Sequence, residues 1–416
     1  MPVTKNSTTR QPVATNISYS DQFGVPRTPS LHALFTLGFR PLYPLGMAWS
    51  AIVVAAWVFA PGINHAPLFG PWWHAHEMVW GFAATIAVGF LFTAVPNWTD
   101  LPTADGLPLA LLVAVWLLAR IGLWLGGRWF AAAAALDVAF FAGAAVFCLR
   151  PILRARNARN LWAPAMLLAL AAADALFLHA AAGGALSTVI RMEHVGLLLM
   201  AVVSVLVGRR VIPFFATRAI PELTLSREVV TGLLNLALLL PAVGCDALHA
   251  APHAEGALLL ASCLILLWQI GRWKPWRVLG RPLLWILYLG YAGLAAGLGA
   301  RAGQLLGAPL ADSFWIHLLA VCGFSVLIIG MVTRTSLGHL GRPLRLDGWS
   351  LTSYALLLAS AAMRLLSFVP QVSLATIALH AAAIAWGLAC AVFVGRYGPW
   401  MVRPRNGTRG LVALRH

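Results

Sequence analysis

Charged side chains are scarce in this chain of 416 residues. They make up 10% of it, whereas hydrophobic residues make up 60%, and the mean hydropathy is +0.81. A soluble protein of this size could not cover so much apolar surface with polar side chains. The composition therefore excludes a soluble globular domain and predicts an all-α, polytopic membrane protein, because helices satisfy their own backbone hydrogen bonds in lipid.

Cysteine is also rare, and its spacing excludes several kinds of site. None of the five cysteines belongs to a CxxC or CxxCH motif, and all fall within apolar stretches: Cys148, Cys245, Cys263, Cys322 and Cys390. A disulfide framework, a thiolate zinc site and covalently attached haem are therefore not expected. We interpret these cysteines as small buried hydrophobic residues.

Acidic residues are outnumbered, at 13 against 29 lysines and arginines. The basic residues lie in short loops between apolar stretches and form no continuous basic face, which argues against nucleic acid as a partner. Residues 1–33 lack the apolar core of a cleavable signal and are interpreted as a disordered cytoplasmic segment. Residues 396–416 are interpreted as a basic cytoplasmic tail.

Long apolar runs are what the chain has in abundance. A hydrocarbon core about 30 Å thick needs roughly 20 apolar residues per helix. About twelve such runs fill the segment 34–395, which we interpret as one membrane domain in contact with the lipid bilayer. They lie near Pro41–Ala60, Trp73–Val95, Leu107–Leu125, Trp129–Leu149, Leu161–Ala182, Thr188–Val207, Val230–His249, Pro252–Ile270, Pro282–Ala300, Ser313–Val332, Leu351–Phe368 and Leu374–Val394.

The basic residues orient this stack of spans. Most of them follow an even-numbered span or lie near a terminus, as Arg150, Arg272 and Arg334 do. Positive charge in short loops stays on the cytoplasmic side of a membrane. Both termini are therefore expected to be cytoplasmic, and the second span is expected to begin at the outer face.

Histidines supply the strongest chemical signal. His74 and His76 lie at the outer end of the second span, and four more histidines lie at matching depth in four other spans: His179, His194, His317 and His380. Each alone could be a hydrogen-bonded core imidazole. Together, without cysteine partners, they predict a histidine-ligated cofactor or metal site with His74, His76, His194 and His317 as ligands. His179 and His380 are expected to lie beside these ligands.

The His-x-His pair cannot chelate one metal from a regular helix. Residues two apart on a helix point roughly 200° away from each other. Either His74 and His76 therefore serve two separate centres, or one of them ligates a metal while the other supports that ligand. Glu77 and Met78 are expected to share the face of His74. Glu77 is the candidate catalytic residue, as a proton carrier or as the partner that fixes a ligand tautomer; the alternative is a carboxylate favoured at a helix N-terminus.

Two acidic residues are expected in the middle of the membrane. Asp137 and Asp174 lie at similar depth in the fourth and fifth spans. Ionised acids are untenable in hydrocarbon, so each must be neutral, hydrogen-bonded or matched by a cation. A proton path to the outer site and a hydrogen-bonded lock between helices both remain open.

Polar motifs collect at the inner ends of the first, second, sixth and tenth spans. Their members are Arg40, Asn97, Trp98, Arg209, Arg210, Arg334, His339 and Arg342. They could form a proton entrance, a quinol pocket or an anion site, or they could be helix caps and lipid-headgroup anchors. For most of the arginines we favour the structural alternative. For His339, in a glycine-flanked loop, both remain open.

The second, sixth and tenth spans share a layout, because each begins with histidine near the outer face and ends in a polar inner motif. A spacing of four spans suggests three quasi-repeated four-helix units.

Five ordered motifs between about Leu34 and Val394 strongly resemble the NnrS family. They are FRPLYPL at Phe39–Leu45, WHAHEMVWGF at Trp73–Phe82, TAVPNWT at Thr93–Thr99, GRRVIPFF at Gly208–Phe215 and TRTSLGHLGRPL at Thr333–Leu344. The resemblance implies a bacterial inner-membrane protein associated with haem b and copper and connected with denitrification and protection against nitric oxide.

The layout is also similar to subunit I of haem–copper oxidases and to nitric oxide reductases. Those proteins use twelve spans in three groups of four, with histidine ligands near the outer side of the second, sixth and tenth helices. Here the His-x-His lies on the second span, whereas in that layout it lies on the tenth. His249 and His253 lie near a loop, which departs from the three-histidine copper site of that layout.

Two classes of function follow. In the first, histidines bind haem iron and copper so that nitric oxide is bound or reduced near the periplasmic face, with electrons from a quinol or another donor. In the second, the protein is a proton- or metal-coupled transporter or sensor that acts indirectly in nitrosative stress. Carriers commonly show broken helices and two related halves, neither of which is clear in this chain.

Overall fold

A computed structural model describes residues 29–63, 65–225, 229–368 and 370–406 of the chain. Residues 1–28 of the predicted N-terminal segment and residues 407–416 of the predicted C-terminal tail lie outside the described residues. Just before the first span, Leu31–Leu34 form a short helical turn capped by the Ser30 side chain. The last span continues to Met401, beyond the predicted boundary at residue 395.

Twelve helices in the described part of the chain are long and apolar enough to cross a membrane, which confirms the predicted fold class. In chain order, α1 to α12 are Phe39–Phe59, Gly70–Thr99, Gly106–Leu125, Gly127–Arg154, Ala158–Ala182, Leu186–Ala219, Val229–Ala247, Pro252–Arg272, Pro282–Leu305, Asp312–His339, Gly348–Leu366 and Ser373–Met401. The chain is a multi-pass membrane protein, and the described residues contain no strand.

Helices α2 and α6 form the centre of the bundle. In their apolar 18-residue stretches, 78% and 72% of the residues are buried inside the protein, whereas the value for the peripheral α7 is 28%. Helix α2 packs against α1, α4, α5 and α6, and α6 also contacts α7, α9 and α10. Central helices leave only a minor fraction of their surface for lipid, so polar groups on them can face protein.

Helices α2 and α10 each widen into a π-helix directly after a histidine. The π-helical segments are Glu77–Ala84 in α2 and Leu318–Ser325 in α10. At the end of each, a hydroxyl donates to the carbonyl five residues earlier: Thr85 Oγ1 to Trp80 and Ser325 Oγ to Ala320, both at 2.9 Å. Such segments often occur at functional sites, since the extra residue re-aims the side chains around it.

Helix α9 reaches the π-helical segment of α10 through small residues. A Cβ on Gly293 would overlap the backbone of Cys322, and a Cβ on Gly297 would lie 2.5 Å from the Leu319 Cα. Close backbone approach at glycine is a common way for helices to pack in membranes. The widened part of α10 therefore packs against α9 on one side, and its other side faces the bundle centre.

Candidate histidine cavity and buried charge cluster

The two histidines at the start of α2 face different environments, in agreement with their predicted divergence. The His74 ring stacks on Trp57, with centroids 5.9 Å apart, and borders a cavity. The His76 ring stacks on Trp80 at 5.2 Å and points to buried charged residues on the other side of α2. The end of the bundle where α2, α6 and α10 begin is called the histidine end below.

A cavity of about 380 Å³ lies at the histidine end. Most of its lining is apolar or aromatic, as is typical of sites for small molecules and cofactors. Six ionisable side chains line it, and they come from α2, α6, α10 and α11: His74, Glu193, His194, Asp312, His317 and Arg364. Three predicted ligands, one each from α2, α6 and α10, therefore share one cavity.

One ring nitrogen of His194 is buried without a hydrogen-bond partner. Its Nδ1 lies 3.7 Å from Oδ1 of Asp246 on α7, and its ring meets Trp315 edge-on at 5.0 Å. The other ring nitrogen, Nε2, has no partner among the described residues. A carboxylate behind one imidazole nitrogen and a free lone pair on the other is the arrangement that metal-binding histidines commonly show.

His317 is prepared in a similar way by the backbone. Its Nδ1 lies 2.6 Å from the carbonyl oxygen of Ser313, which can only accept, so Nδ1 carries the proton. Nε2 then carries the lone pair. Arg364 Nη2 lies 3.4 Å from the same Nδ1 and places a cation at the cavity wall. His74 Nδ1 is buried without a partner within the described chain.

Asp246 belongs to a second charged group, centred on Arg301 of α9. The Arg301 guanidinium lies 2.9 Å from Asp246 Oδ1, 3.3 Å from Glu255 Oε1 and 3.5 Å from Asp312 Oδ1. This group ties α7, α8, α9 and α10 together and fixes the carboxylate behind His194. Arg301 falls one residue beyond the predicted end of the ninth span at Ala300, so the sequence did not mark it as a charge inside the membrane; the helix continues to Leu305.

A separate group of charged residues is buried around His76. The ring bonds to two carboxylates, through Nδ1 to Glu77 Oε1 at 3.1 Å and through Nε2 to Asp174 Oδ1 at 2.8 Å. Asp137 Oδ2 lies 3.4 Å from the same Nε2. Arg120 of α3 donates to Glu77 Oε2 at 2.6 Å and pairs with Asp137. These five residues are called the buried cluster below.

Glu77 does not share the face of His74, so that prediction is wrong. Its carboxylate bonds to His76 and Arg120, and it also accepts a hydrogen bond from Trp49 Nε1 at 2.6 Å. The physical reason is charge compensation, since a buried carboxylate turns towards the nearest buried cation. Glu77 also lies two turns inside α2, which begins at Gly70, so it is not a helix N-terminal carboxylate.

Two histidines expected beside the ligands lie elsewhere. His179 is exposed on the outside of α5, and His380 packs against Phe59 with its Nδ1 bonded to the Thr376 carbonyl at 2.8 Å. Neither lines the cavity. Depth along a helix, on which the prediction relied, does not decide which side of that helix a residue occupies.

The polar residues at the opposite end of the bundle make contacts within the protein. Arg40 Nη1 donates to the carbonyls of Met401 and Arg403 at 2.7 and 2.8 Å, which caps the end of α12. The Arg334 guanidinium lies 3.9 Å above the Phe215 ring. Asn97, Arg209 and His339 contact the Thr93 carbonyl, Gly232 and the Phe39 ring, respectively. These contacts agree with the structural alternative for this end.

Comparison with known families covers nearly the whole chain. A family model described as NnrS protein matches residues 33–405. The chain belongs to the NnrS family. No curated protein matches it in sequence. Membership in NnrS indicates a role in the response to nitric oxide, and the matched range contains the cavity, the buried cluster and all twelve helices.

The residues of the cavity fit the cofactors that the NnrS resemblance implies. Imidazole nitrogens ligate haem iron and copper, and His194 Nε2 and His74 Nδ1 are buried without partners. Arg364 would suit a carboxylate on a bound cofactor. The three cavity histidines do not form a compact triad of metal ligands. Among the described residues, the set of three possible ligands with atoms within 4.8 Å of one another is His76, Asp137 and Asp174. A large cofactor, or two neighbouring centres, suits the cavity better than one ion held by all three.

Proposed function

We propose that this NnrS protein binds nitric oxide, or a related small molecule, at a histidine-ligated cofactor in the cavity at the histidine end. The cofactor is haem b together with copper, and the ligands are His194, His317 and His74. One observation carries the proposal: three helices bring imidazoles to one cavity, and two of these rings have buried nitrogens without a partner.

The protein's own groups would hold the ligands in the required form. The Ser313 carbonyl keeps Nδ1 of His317 occupied, and the Asp246 carboxylate, 3.7 Å from Nδ1 of His194, would favour the same tautomer there, with Nε2 as the ligating atom. Bound haem would supply an open coordination position and electron chemistry for a diatomic molecule. The apolar lining, which includes Met78, Met200 and Trp386, would keep water away from it.

The location and the partners belong to the same proposal. The NnrS resemblance implies the bacterial inner membrane, and the distribution of arginines favours cytoplasmic termini, with the histidine end towards the periplasm. If the protein reduces nitric oxide, electrons would come from a quinol or another donor. Glu193 and Asp312 at the cavity wall are the groups that would hold protons beside a bound molecule.

The continuity of the central helices favours this function over a carrier. Helices α2, α6 and α10 run past the cavity without dividing into half-helices, although α2 and α10 contain π-helical segments. Secondary transporters commonly bind their substrates between broken helices near the middle of the membrane. The unbroken helices therefore favour a cofactor site over a transport pathway at this cavity.

Absorption spectroscopy of the detergent-purified protein tests the proposed function. We expect a Soret band that shifts on reduction with dithionite and shifts again when nitric oxide is added. The physical reason is that a diatomic ligand at an open haem position changes the ligand field of the iron. His253→Ala, at an exposed position outside the cavity, is expected to leave the spectrum unchanged. Protein that lacks a Soret band after expression with ample haem would contradict the proposal, and so would a band that nitric oxide does not move.

A further inference from the structure

The buried cluster lies outside the cavity, and the proposed function does not use it. Its five ionisable side chains come from α2, α3, α4 and α5: His76, Glu77, Arg120, Asp137 and Asp174. Each is at most 1% exposed. Groups of this kind are costly inside a membrane and are commonly functional where they occur.

The formal charges of the cluster do not balance. Three carboxylates face one guanidinium, so two negative charges remain when His76 is neutral. An uncompensated buried charge costs several kcal/mol. Two protons, one on His76 and one on a carboxylate, would balance the cluster, and so would one divalent cation with His76 neutral.

The spacing of three donor atoms suits a cation. His76 Nε2 lies 2.8 Å from Asp174 Oδ1 and 3.4 Å from Asp137 Oδ2, and suitable donor atoms of all three residues lie within 4.8 Å of one another. Zinc binds nitrogen and oxygen at about 2.0–2.2 Å, which places tetrahedral ligand atoms roughly 3.3 Å apart. An ion would therefore need only a small outward shift of Asp174.

The second nitrogen of His76 is already occupied. Its Nδ1 lies 3.1 Å from Glu77 Oε1, and Glu77 is itself held by Arg120 and Trp49. The ring packs against Trp80 and Phe177, with centroids 5.2 and 5.3 Å away. A carboxylate that accepts from Nδ1 directs the Nε2 lone pair towards the two aspartates, as in carboxylate–histidine–zinc arrangements.

Two oxygens in the cluster have no partner among the described residues. They are Asp137 Oδ1 and Asp174 Oδ2, both buried. Buried carboxylate oxygens are normally hydrogen-bonded, and an unpaired one calls for a proton or an ion. Bidentate binding by either aspartate would use such an oxygen and raise the number of ligands to four.

We propose that His76, Asp137 and Asp174 bind one divalent metal ion of the zinc class, separate from the cofactor in the cavity. Nitrogen and oxygen donors without sulfur suit zinc better than copper(I). The ion and Arg120 together carry three positive charges, which match the three carboxylates. It would join α2, α4 and α5 in the membrane interior, and it does not depend on what the cavity holds.

Elemental analysis of the purified full-length protein tests this site. We expect about one zinc per chain to remain after dialysis against EDTA, because the ligands are fully buried. Asp174→Asn keeps the shape of the side chain but removes a charged ligand, and it is expected to lower the zinc content about tenfold or more. The matched control is Glu255→Gln, a buried carboxylate beside Arg301, which should retain zinc. His194→Gln should also retain zinc.

X-ray absorption at the zinc edge of the unsubstituted protein provides a second test that does not depend on a variant folding. We expect a shell of nitrogen and oxygen only, with a single imidazole. A sulfur shell, or several imidazoles, would assign the ion to another site and overturn the proposal. Protein that contains no divalent ion and takes up none from added zinc salt would also overturn it and leave a cluster balanced by protons. Full zinc retention in Asp174→Asn would contradict the ligand assignment.

Discussion

Replacing Arg120 with methionine is expected to prevent the protein from accumulating in folded form in the membrane. Arg120 donates to Glu77 at 2.6 Å and pairs with Asp137, and all three are inaccessible to solvent. Removing one partner of a buried ion pair costs about 3–5 kcal/mol, because it leaves an uncompensated charge. That is a large share of the stability of a typical protein domain, about 5–15 kcal/mol.

The measurement is the yield of monodisperse protein in gel filtration after detergent extraction. Arg128→Met is the control, because Arg128 is exposed at the start of α4, where its guanidinium lies over the Trp129 ring. Adding Glu77→Gln to Arg120→Met removes one unpaired charge and should restore part of the yield. A yield of Arg120→Met equal to that of the unsubstituted protein would show that Arg120 does not balance the cluster.

Replacing His194 with glutamine is expected to remove haem while the fold is kept. The Nε2 atom of His194 is buried beside the cavity without a partner, whereas glutamine has no nitrogen lone pair to offer a metal. We expect haem per chain, measured as the pyridine haemochrome, to fall at least about tenfold, the size of effect seen when metal sites lose supporting groups. His317→Gln is expected to have an effect in the same direction.

His179→Gln is the matched control for this substitution. His179 is also a histidine near the histidine end, but it is exposed on α5 and does not line the cavity. Its haem content should equal that of the unsubstituted protein. Equal haem contents in His194→Gln, His317→Gln and the control would remove both histidines from the proposed ligand set.

The sequence predicts the membrane architecture well because each span can be identified from its own residues. A helix in lipid satisfies its own backbone groups, so an apolar run of sufficient length is enough to identify it. The π-helical segments after His76 and His317 could not be anticipated in this way. Their residues are as apolar as the rest of α2 and α10, and the extra residue per turn depends on packing, for example against the glycines of α9.

The candidate site was predictable in depth but not in direction. Position along a span placed His74, His194 and His317 at one end, and the structure brings them to one cavity. The same argument wrongly included His179 and His380, since the side of a helix depends on its neighbours. It also wrongly placed Glu77 on the face of His74. The cation that attracts the Glu77 carboxylate lies on another helix, so the spacing along α2 could not show it.

Arg120 and Arg301 make contacts that a local sequence pattern cannot predict. Each is one charged residue in an otherwise apolar span, and each meets carboxylates from several other helices. Their partners are far apart in sequence, so no local motif connects them. A charged residue within a span is therefore a signal that a partner exists, while only the packing identifies that partner.

The central claim is that the cavity at the histidine end holds a histidine-ligated cofactor, and cryo-electron microscopy of the purified protein in lipid nanodiscs tests it most directly. The account predicts density for a planar cofactor in the cavity, continuous with the rings of His194 or His317 and close to Arg364. A well-resolved cavity that contains only lipid or water, or a haem bound elsewhere in the bundle, would contradict it.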